Sequence, residues 1–229
     1  MTTAAYYSIH HQLLPHPHLL PGKRQRHLKG RLLLVHQGSG LVQLGRHHYP
    51  LAAGEAAFLA ADTLFAWHGF AGTHLSQVDL SLRLAQPKGS GRLTPSPLLA
   101  ALADKLAGWQ GGRDWQGAQG RLCRALYDEL LPHDLLPFDA QPPLYRKLTE
   151  DPAGFTLTEE EQDAFRRRFG CDADSWRRQA ALLFILRELP KSADWESLLA
   201  RHGFASLPQF EQDCRHWLGA PCHPGAKTG

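Results

Sequence analysis

Residues 175–222, SWRRQAALLFILRELPKSADWESLLARHGFASLPQFEQDCRHWLGAPC, decide how this chain is read. The apolar spacing predicts a helix from about Asp174 to Leu189, stopped by Pro190 because proline has no N–H and its ring clashes with the preceding turn. A short helix from Asp194 to His202 follows, then the turn His202-Gly203-Phe204, then a helix from Ser206 to Leu218. Gly203 supplies the tight-turn backbone, Ser206 caps the last helix, and Pro208 is tolerated because it falls in that helix's first turn. This is the sequence form of a helix-turn-helix. Phe210, Cys214 and Trp217, at i, i+4 and i+7, face inward and leave Gln209, Gln212, Asp213 and His216 outward.

Upstream, Thr158 with Glu161 three residues on is a capping box for a helix to Phe169, and a further helix is predicted over Pro143 to Glu150. Ser96 and Pro97 open a helix carrying Leu98, Leu99, Leu102, Leu106 and Trp109; the loop Gly111 to Gly117 ends it, and a second amphipathic stretch runs from about Ala118 to Leu131. The texture between Gly30 and Leu84 is different. Short β-prone runs at Leu32–Val35, Leu41–Leu44, Ala56–Leu59, Trp67–Phe70 and Leu75–Leu84 alternate with Gly-bearing turns, the pattern of a small antiparallel sandwich or barrel. The first 25 residues, rich in His and Pro, lack a period and read as an irregular lead-in. The fold class is α+β: residues 1–90 a β-barrel or sandwich, 91–139 a helical linker hairpin, 140–229 an all-α helix-turn-helix domain.

With 229 residues, 43% hydrophobic and 21% charged, the chain has enough apolar material for real cores, which excludes a disordered or fibrous protein. The formal charge of +3 hints at nucleic acid, but its distribution matters more than its sum. Residues 1–90 hold eight Lys/Arg against three Asp/Glu, whereas residues 140–229 hold twelve against thirteen. The basic excess therefore lies outside the helix-turn-helix. Cys123, Cys171, Cys214 and Cys222 form no C-x-x-C pair, and there is no signal-peptide pattern or apolar run of spanning length, so a reducing cytoplasm without membrane contact is expected.

The segment from Ser175 to Cys222 resembles the C-terminal half of an AraC/XylS-family DNA-binding domain: a linker helix, then a second helix-turn-helix with a G-[FY]-x-S-x-x-x-F core, seen here as Gly203-Phe204-Ala205-Ser206 and Phe210. FRRRFGCDADSW (165–176) is similar to the end of the first recognition helix and the entry to the linker helix. Residues 32–69 resemble the cupin-like sensor domain of that family, through Gly45, Tyr49, Leu51 and Gly54-Glu55. The resemblance implies a transcription regulator without catalytic step or cofactor. Promoter DNA would be contacted by Arg177, Arg178, Arg201, Ser206, Gln209, Gln212 and Arg215, a small-molecule effector held by His36, Tyr49, Phe58 and Trp67, and the helical hairpin would form a homodimer.

The departures point the other way. The first helix-turn-helix is short, with only residues 152–156 between its two helices, and its reading face carries Glu159, Glu160, Glu161 and Asp163, like charges to a phosphate backbone. Glu211 and Asp213 flank the second reading face, where Gln209 and Gln212 suit adenine edges and Arg215 suits phosphate. Arg166-Arg167-Arg168 and Arg177-Arg178 read either as phosphate clamps or as a solvated face paired with nearby acids. The alternative function is thus a protein-interaction modulator of the same descent that no longer binds DNA. Ten of the fourteen histidines lie in the first 74 residues, and His47, His48, Glu55 and His68 follow the order of a cupin metal set. Adjacent His47 and His48 point to opposite strand faces, so no metal is expected. The β unit is also short enough for Leu and Ala to fill its interior, and the leucine stripe of the hairpin has the protein's own barrel available to pack on.

Overall fold

The computed structural model describes residues 8–138, 157–189 and 194–222; the helix expected over Pro143 to Glu150 lies outside them. The N-terminal part is a two-layer antiparallel β structure. One sheet orders β1 (Ile9–His16), β8 (Thr73–Leu80), β3 (Gly30–Gln37), β6 (Ala56–Leu59) and β9 (Gly91–Leu93). The other orders β2 (Gln25–Arg26), β7 (Leu64–Gly69), β4 (Ser39–Leu44) and β5 (His47–Ala52). The helices are α1 (Pro97–Ala107), α2 (Ala118–Leu130), α3 (Glu159–Phe169), α4 (Ala173–Glu188), α5 (Trp195–Arg201) and α6 (Leu207–Leu218).

Period-two alternation sorts the strand residues into three cores. Inward-facing Leu33, Val35, Val42, Leu51, Leu59, Phe65, Trp67 and Leu75 fill the space between the sheets. Their neighbours Leu32, Leu34, Phe58, Val78 and Leu80 face the other way and pack under Leu99, Ala103, Leu106, Leu126 and Leu130 of the α1–α2 hairpin. On the second sheet, Leu41 and Ala52 face outward and join Leu19 and Phe70 against Phe165, Phe169, Trp176, Leu182 and Leu183 of the helical domain. The order of layers is hairpin, sheet, sheet, helical domain. Both faces of both sheets are covered, which is why the strands read as near-continuous apolar runs.

The helix ends follow local chemistry. Ser96 caps α1 by accepting from Leu99 N–H, Thr158 and Glu161 form a reciprocal capping box on α3, and Asp172, Asp194 and Ser206 cap α4, α5 and α6. Gly170 and Gly219 close α3 and α6 in the left-handed conformation, at φ 73° and 70°.

The lead-in is corrected. Residues 9–16 are not irregular: β1 pairs with β8 over its whole length, from Ile9 opposite Leu80 to His16 opposite Thr73. It is an edge strand, which is where Pro15 can sit in a sheet. Its histidines are buried by tertiary partners, His11 Nε2 lying 2.7 Å from Ser76 Oγ and Trp67 Nε1–H donating to His16 Nε2 at 3.1 Å. The last strand, β9, begins at residue 91, and Leu136 bridges back to Arg92, so the sandwich draws on both sides of the hairpin. No described helix is long and apolar enough to cross a membrane.

Candidate functional site

The C-terminal helices build a helix-turn-helix supported on α4. Buried Leu198, Leu199, Phe204, Phe210 and Cys214 join the core of α4, with Phe204 edge-on to Phe210 at 5.5 Å between ring centroids. Gly203 makes the turn with φ 80°. The inward set Phe210, Cys214 and Trp217 lies where the spacing places it, and Gln212, Arg215 and His216 are exposed.

The polar residues of this surface are engaged within the domain. Ser206 caps α6, and the Gln209 side-chain oxygen accepts from Ala205 N–H at 2.9 Å, so both fix the turn as well as bordering the exposed face. Arg178 on α4 pairs with Asp213 on α6 at 2.7 Å, a contact spanning 35 residues that clamps the two helices together. Arg177 pairs with Asp174 at 2.7 Å, Arg201 with Glu188 at 3.8 Å and Arg215 with Glu211 at 3.5 Å. Each expected phosphate contact therefore has an acid beside it. Arg201 and Arg215 are well exposed, and such pairs are worth at most about 1 kcal/mol, small enough for a phosphate to displace the acid. On α3, Glu159, Glu160, Gln162, Asp163, Arg166 and Arg167 are exposed, and Arg166 pairs with Asp163 at 2.9 Å.

The four residues considered for an effector pocket divide between two cores. Tyr49 and Trp67 face the space between the sheets, where Tyr49 meets the Phe138 ring at 5.0 Å. Phe58 sits opposite Leu32 in register and shares its face, under the hairpin. His36 follows an irregularity between Val35 and Gln37 and reaches Asp104 on α1, Nδ1 to carboxylate 2.7 Å. The four thus do not share one cavity wall. Beyond His36 the chain of contacts continues from Nε2 to Ser76 Oγ at 2.7 Å and on to His11 Nε2 at 2.7 Å. Donors and acceptors close when His36 donates to Asp104, Ser76 donates to His36, and His11 donates to Ser76. The connectivity is that of an Asp-His-Ser relay, but Ser76 has no exposed surface, so the relay pins the hairpin to the sheet and presents no nucleophile.

Of the residues in cupin metal order, His48 and His68 come together, ring centroids 5.9 Å apart, while Glu55 is held by Arg168 at 3.0 Å and His47 is exposed. His48 and His68 lie on the face that meets the helical domain. His48 packs edge-on against Phe184 of α4 at 5.2 Å; His68 accepts from Gly22 N–H at Nδ1 and faces the Gln43 carbonyl at Nε2. Burial first, and then the nearby Arg187, hold His68 down at about 4; burial, His68 and Arg187 do the same to His48, also at about 4.

Sequence reasoning missed the docking of the helical domain on the sandwich. Gln179 of α4 accepts from Ala71 N–H at 2.7 Å, Arg168 pairs with Glu55, and Leu19 N–H donates to Trp217 carbonyl at 2.7 Å. The one available signal was the two-sided apolar pattern of β4, where all but one residue is buried.

No protein-family model matches the chain, and no curated protein matches it. Among solved structures, ToxT of Vibrio cholerae is similar at 8% identity, covering 94% of this chain and 96% of that one with a TM-score of 0.38. The AraC-like transcriptional activator CuxR is similar at 13% identity over 74% of this chain and 69% of that one, TM-score 0.38. A cupin-superfamily protein of Desulfitobacterium hafniense is similar at 18% identity over 35% of this chain and 74% of that one, TM-score 0.29.

Proposed function

We propose that the chain is an AraC-like transcription regulator whose α5–α6 helix-turn-helix sits on promoter DNA, with α6 in the major groove. The observation that carries this reading is the geometry of α6: a helix with a capped N-terminus, seated on α4 by Phe210 and Cys214, with Gln212, Arg215 and His216 on the side away from its own core. Gln212 is the side chain suited to an adenine edge, and Arg215 and Arg201 are the cations suited to flanking phosphates. Arg177, Arg178, Ser206 and Gln209 orient the motif. Regulation would come through the sandwich, by a small effector or by a second copy of the chain meeting the hairpin on its outer face.

The test is a fluorescence-anisotropy titration of the full chain on its own upstream DNA at several salt concentrations. Binding that weakens with salt, with a log-log slope of about −0.9 per phosphate contacted, and that Gln212→Ala relaxes in sequence preference, is the expected result. No salt-sensitive binding at micromolar protein overturns it.

One observation favours a second reading. Because Arg177, Arg178, Arg201 and Arg215 all have in-domain acid partners, the same surface also suits a protein-interaction modulator that no longer binds DNA. Failure in the DNA titration together with capture of an intact family relative through the hairpin would establish that reading.

A further inference from the structure

The edge strand β1 meets the start of α2 in a cleft of about 280 Å³, counted out to its open mouth. Ile9 of β1 and Cys123 of α2 line it and are buried, and Trp115, in the loop before α2, stands along one side. Trp115 is held in place. Arg124 lies over its ring at 5.0 Å and donates to its carbonyl at 2.9 Å, and a Cβ at Gly120 would run into that carbonyl, so only glycine lets the loop lie this close to the helix. At the rim Arg113 and Asp114, both exposed, carry opposite charges.

One polar atom of this cleft is fixed by the fold. His11 lines it and is only 6% exposed. Its Nε2 lies 2.7 Å from Ser76 Oγ, while its Nδ1 reaches solvent and has no hydrogen-bond partner among the described residues. The relay from α1 sets what Nδ1 can do. The Asp104 carboxylate accepts, so His36 carries its proton on Nδ1 and accepts from Ser76 at Nε2; Ser76 in turn accepts from His11 Nε2–H. The His11 proton is thereby committed to Nε2, and Nδ1 turns a bare lone pair to the cleft. Burial first, then nearby His36, His10 and Arg113, hold His11 down at about 4, so the ring is neutral near neutral pH.

We propose that this cleft binds a small uncharged ligand of about one ring, apolar in body and carrying one O–H or N–H that donates to His11 Nδ1. The size follows from the volume, which falls just short of the roughly 300–1,000 Å³ of sites for drug-sized molecules. The lack of charge follows from the rim, where a cation meets Arg113 and an anion meets Asp114. The donor follows from the lone pair, because a ligand that can only accept buries Nδ1 without a partner. Such a ligand touches β1, the loop and α2 together, and the relay joins its contact to α1, so binding tightens the hold of the hairpin on the sheet. The cleft is distinct from the four residues first considered for an effector, of which only His36 connects to it, through Ser76. The assignment is independent of whether α6 meets DNA.

Phenol is the probe, with one ring and one O–H; anisole keeps the ring and has the O–H methylated. Full-length protein labelled with nitrogen-15 histidine is titrated with each at about pH 8, above the ordinary histidine range. Proton–nitrogen correlation spectra tell a protonated ring nitrogen from a bare one, and the His11 signals are identified by their loss in His11→Phe. The expected result is a His11 proton on Nε2 and a saturable shift of Nδ1 by phenol, with a Kd on the order of 1 mM. Anisole should bind about three- to tenfold more weakly. Ser76→Ala leaves Nε2–H against a methyl group, so the His11 proton should move to Nδ1 and the advantage of phenol over anisole should vanish. Trp115→Ala should weaken both probes alike. A His11 proton already on Nδ1, equal affinity for the two probes, or no saturable shift of His11 by phenol, as when the cleft takes water only, would each overturn the proposal. If Ser76→Ala does not fold, the phenol–anisole comparison on the unaltered chain decides alone.

Discussion

The two outer faces of the sandwich are covered in different ways. Against one sheet the α1–α2 hairpin buries an apolar stripe, Leu99, Ala103, Leu106, Leu126 and Leu130, on Leu32, Leu34, Phe58 and Val78. Against the other, the helical domain meets the sheet through Leu41, Ala52 and Phe70, interspersed with His48, His68, Gln43, Gln179 and the Arg168–Glu55 pair. Apolar burial is non-directional and hard to undo locally, whereas polar contacts are lost stepwise with protonation or partner loss. The hairpin is thus part of the sandwich, and the helical domain is docked on it.

The largest effects test that contrast directly. Phe58→Ala and Trp176→Ala each remove a fully buried aromatic, at a cost of about 3–5 kcal/mol. Phe58 belongs to the sandwich and hairpin together, so its loss should lower protection of both in hydrogen exchange. Trp176 touches Phe70 at 5.1 Å, Phe169 at 5.7 Å and Phe165 at 6.1 Å, so its loss should open α3 to α6 while the strands keep their protection. Equal deprotection of β3 and β8 in both variants would show one cooperative unit instead of two.

Acid should separate the two faces next. His48 and His68 are held at about 4 in the folded chain against 6.5 in the unfolded one, so the unfolded state binds the extra protons. Stability is therefore lost as pH falls through 6.5, and the loss is complete below about 4. At pH 5.5 each group costs about 1 kcal/mol. Protonation of one opposes the other across 5.9 Å, and Arg187 opposes both. On the hairpin side His11 alone is held at about 4, with His10 lowered less. Lowering pH from 7.5 to 5.5 should deprotect the α4 interface before α1 and α2. His48→Phe with His68→Leu should flatten the profile; an unchanged profile would remove the pair from the account.

How much of this was legible from the residues depends on the range of the interaction. Three helix starts set by a cap within three residues were read directly, Ser96 with Pro97, Thr158 with Glu161 and Ser206 with Pro208, while the Asp172 cap that starts α4 at Ala173 was not. The inward set Phe210 and Cys214 and the exposed Gln212 and Arg215 were readable too, because helical period fixes facing. What escaped is long-range. β1 was hidden because its histidines are buried by Ser76 and Trp67, more than fifty residues away. Arg178 reads as a phosphate clamp or as paired with a nearby acid on its own helix, and its actual partner, Asp213, is brought to it only when α6 folds back. Phe58 and His36 reach the hairpin face only through strand register and a local irregularity.

A smaller effect isolates one polar contact of the docking. Gln179, almost fully buried, accepts from Ala71 N–H at 2.7 Å. Gln179→Leu keeps the volume but leaves that N–H without its acceptor, at about 1–3 kcal/mol. The loss should appear in exchange of the Ala71 amide and the α4 segment, with α1 and α2 unchanged.

The Arg168–Glu55 pair should give the smallest change and the most discriminating one. Both side chains are about one-third exposed, 37% and 33%, so solvent screens the attraction and Arg168→Ala should cost about 0.5–1 kcal/mol, shrinking with added salt. Glu55 has a second task, since its other carboxylate oxygen accepts from Ala52 N–H at 3.0 Å and shapes the turn between β5 and β6. Glu55→Gln keeps an acceptor for that N–H and removes only the charge, whereas Glu55→Ala removes both. If the pair is a docking contact, Arg168→Ala and Glu55→Gln should match and Glu55→Ala should cost more, the excess being insensitive to salt. Three equal, salt-independent losses in chemical unfolding would mean that the charge contributes nothing to holding the helical domain on the sandwich.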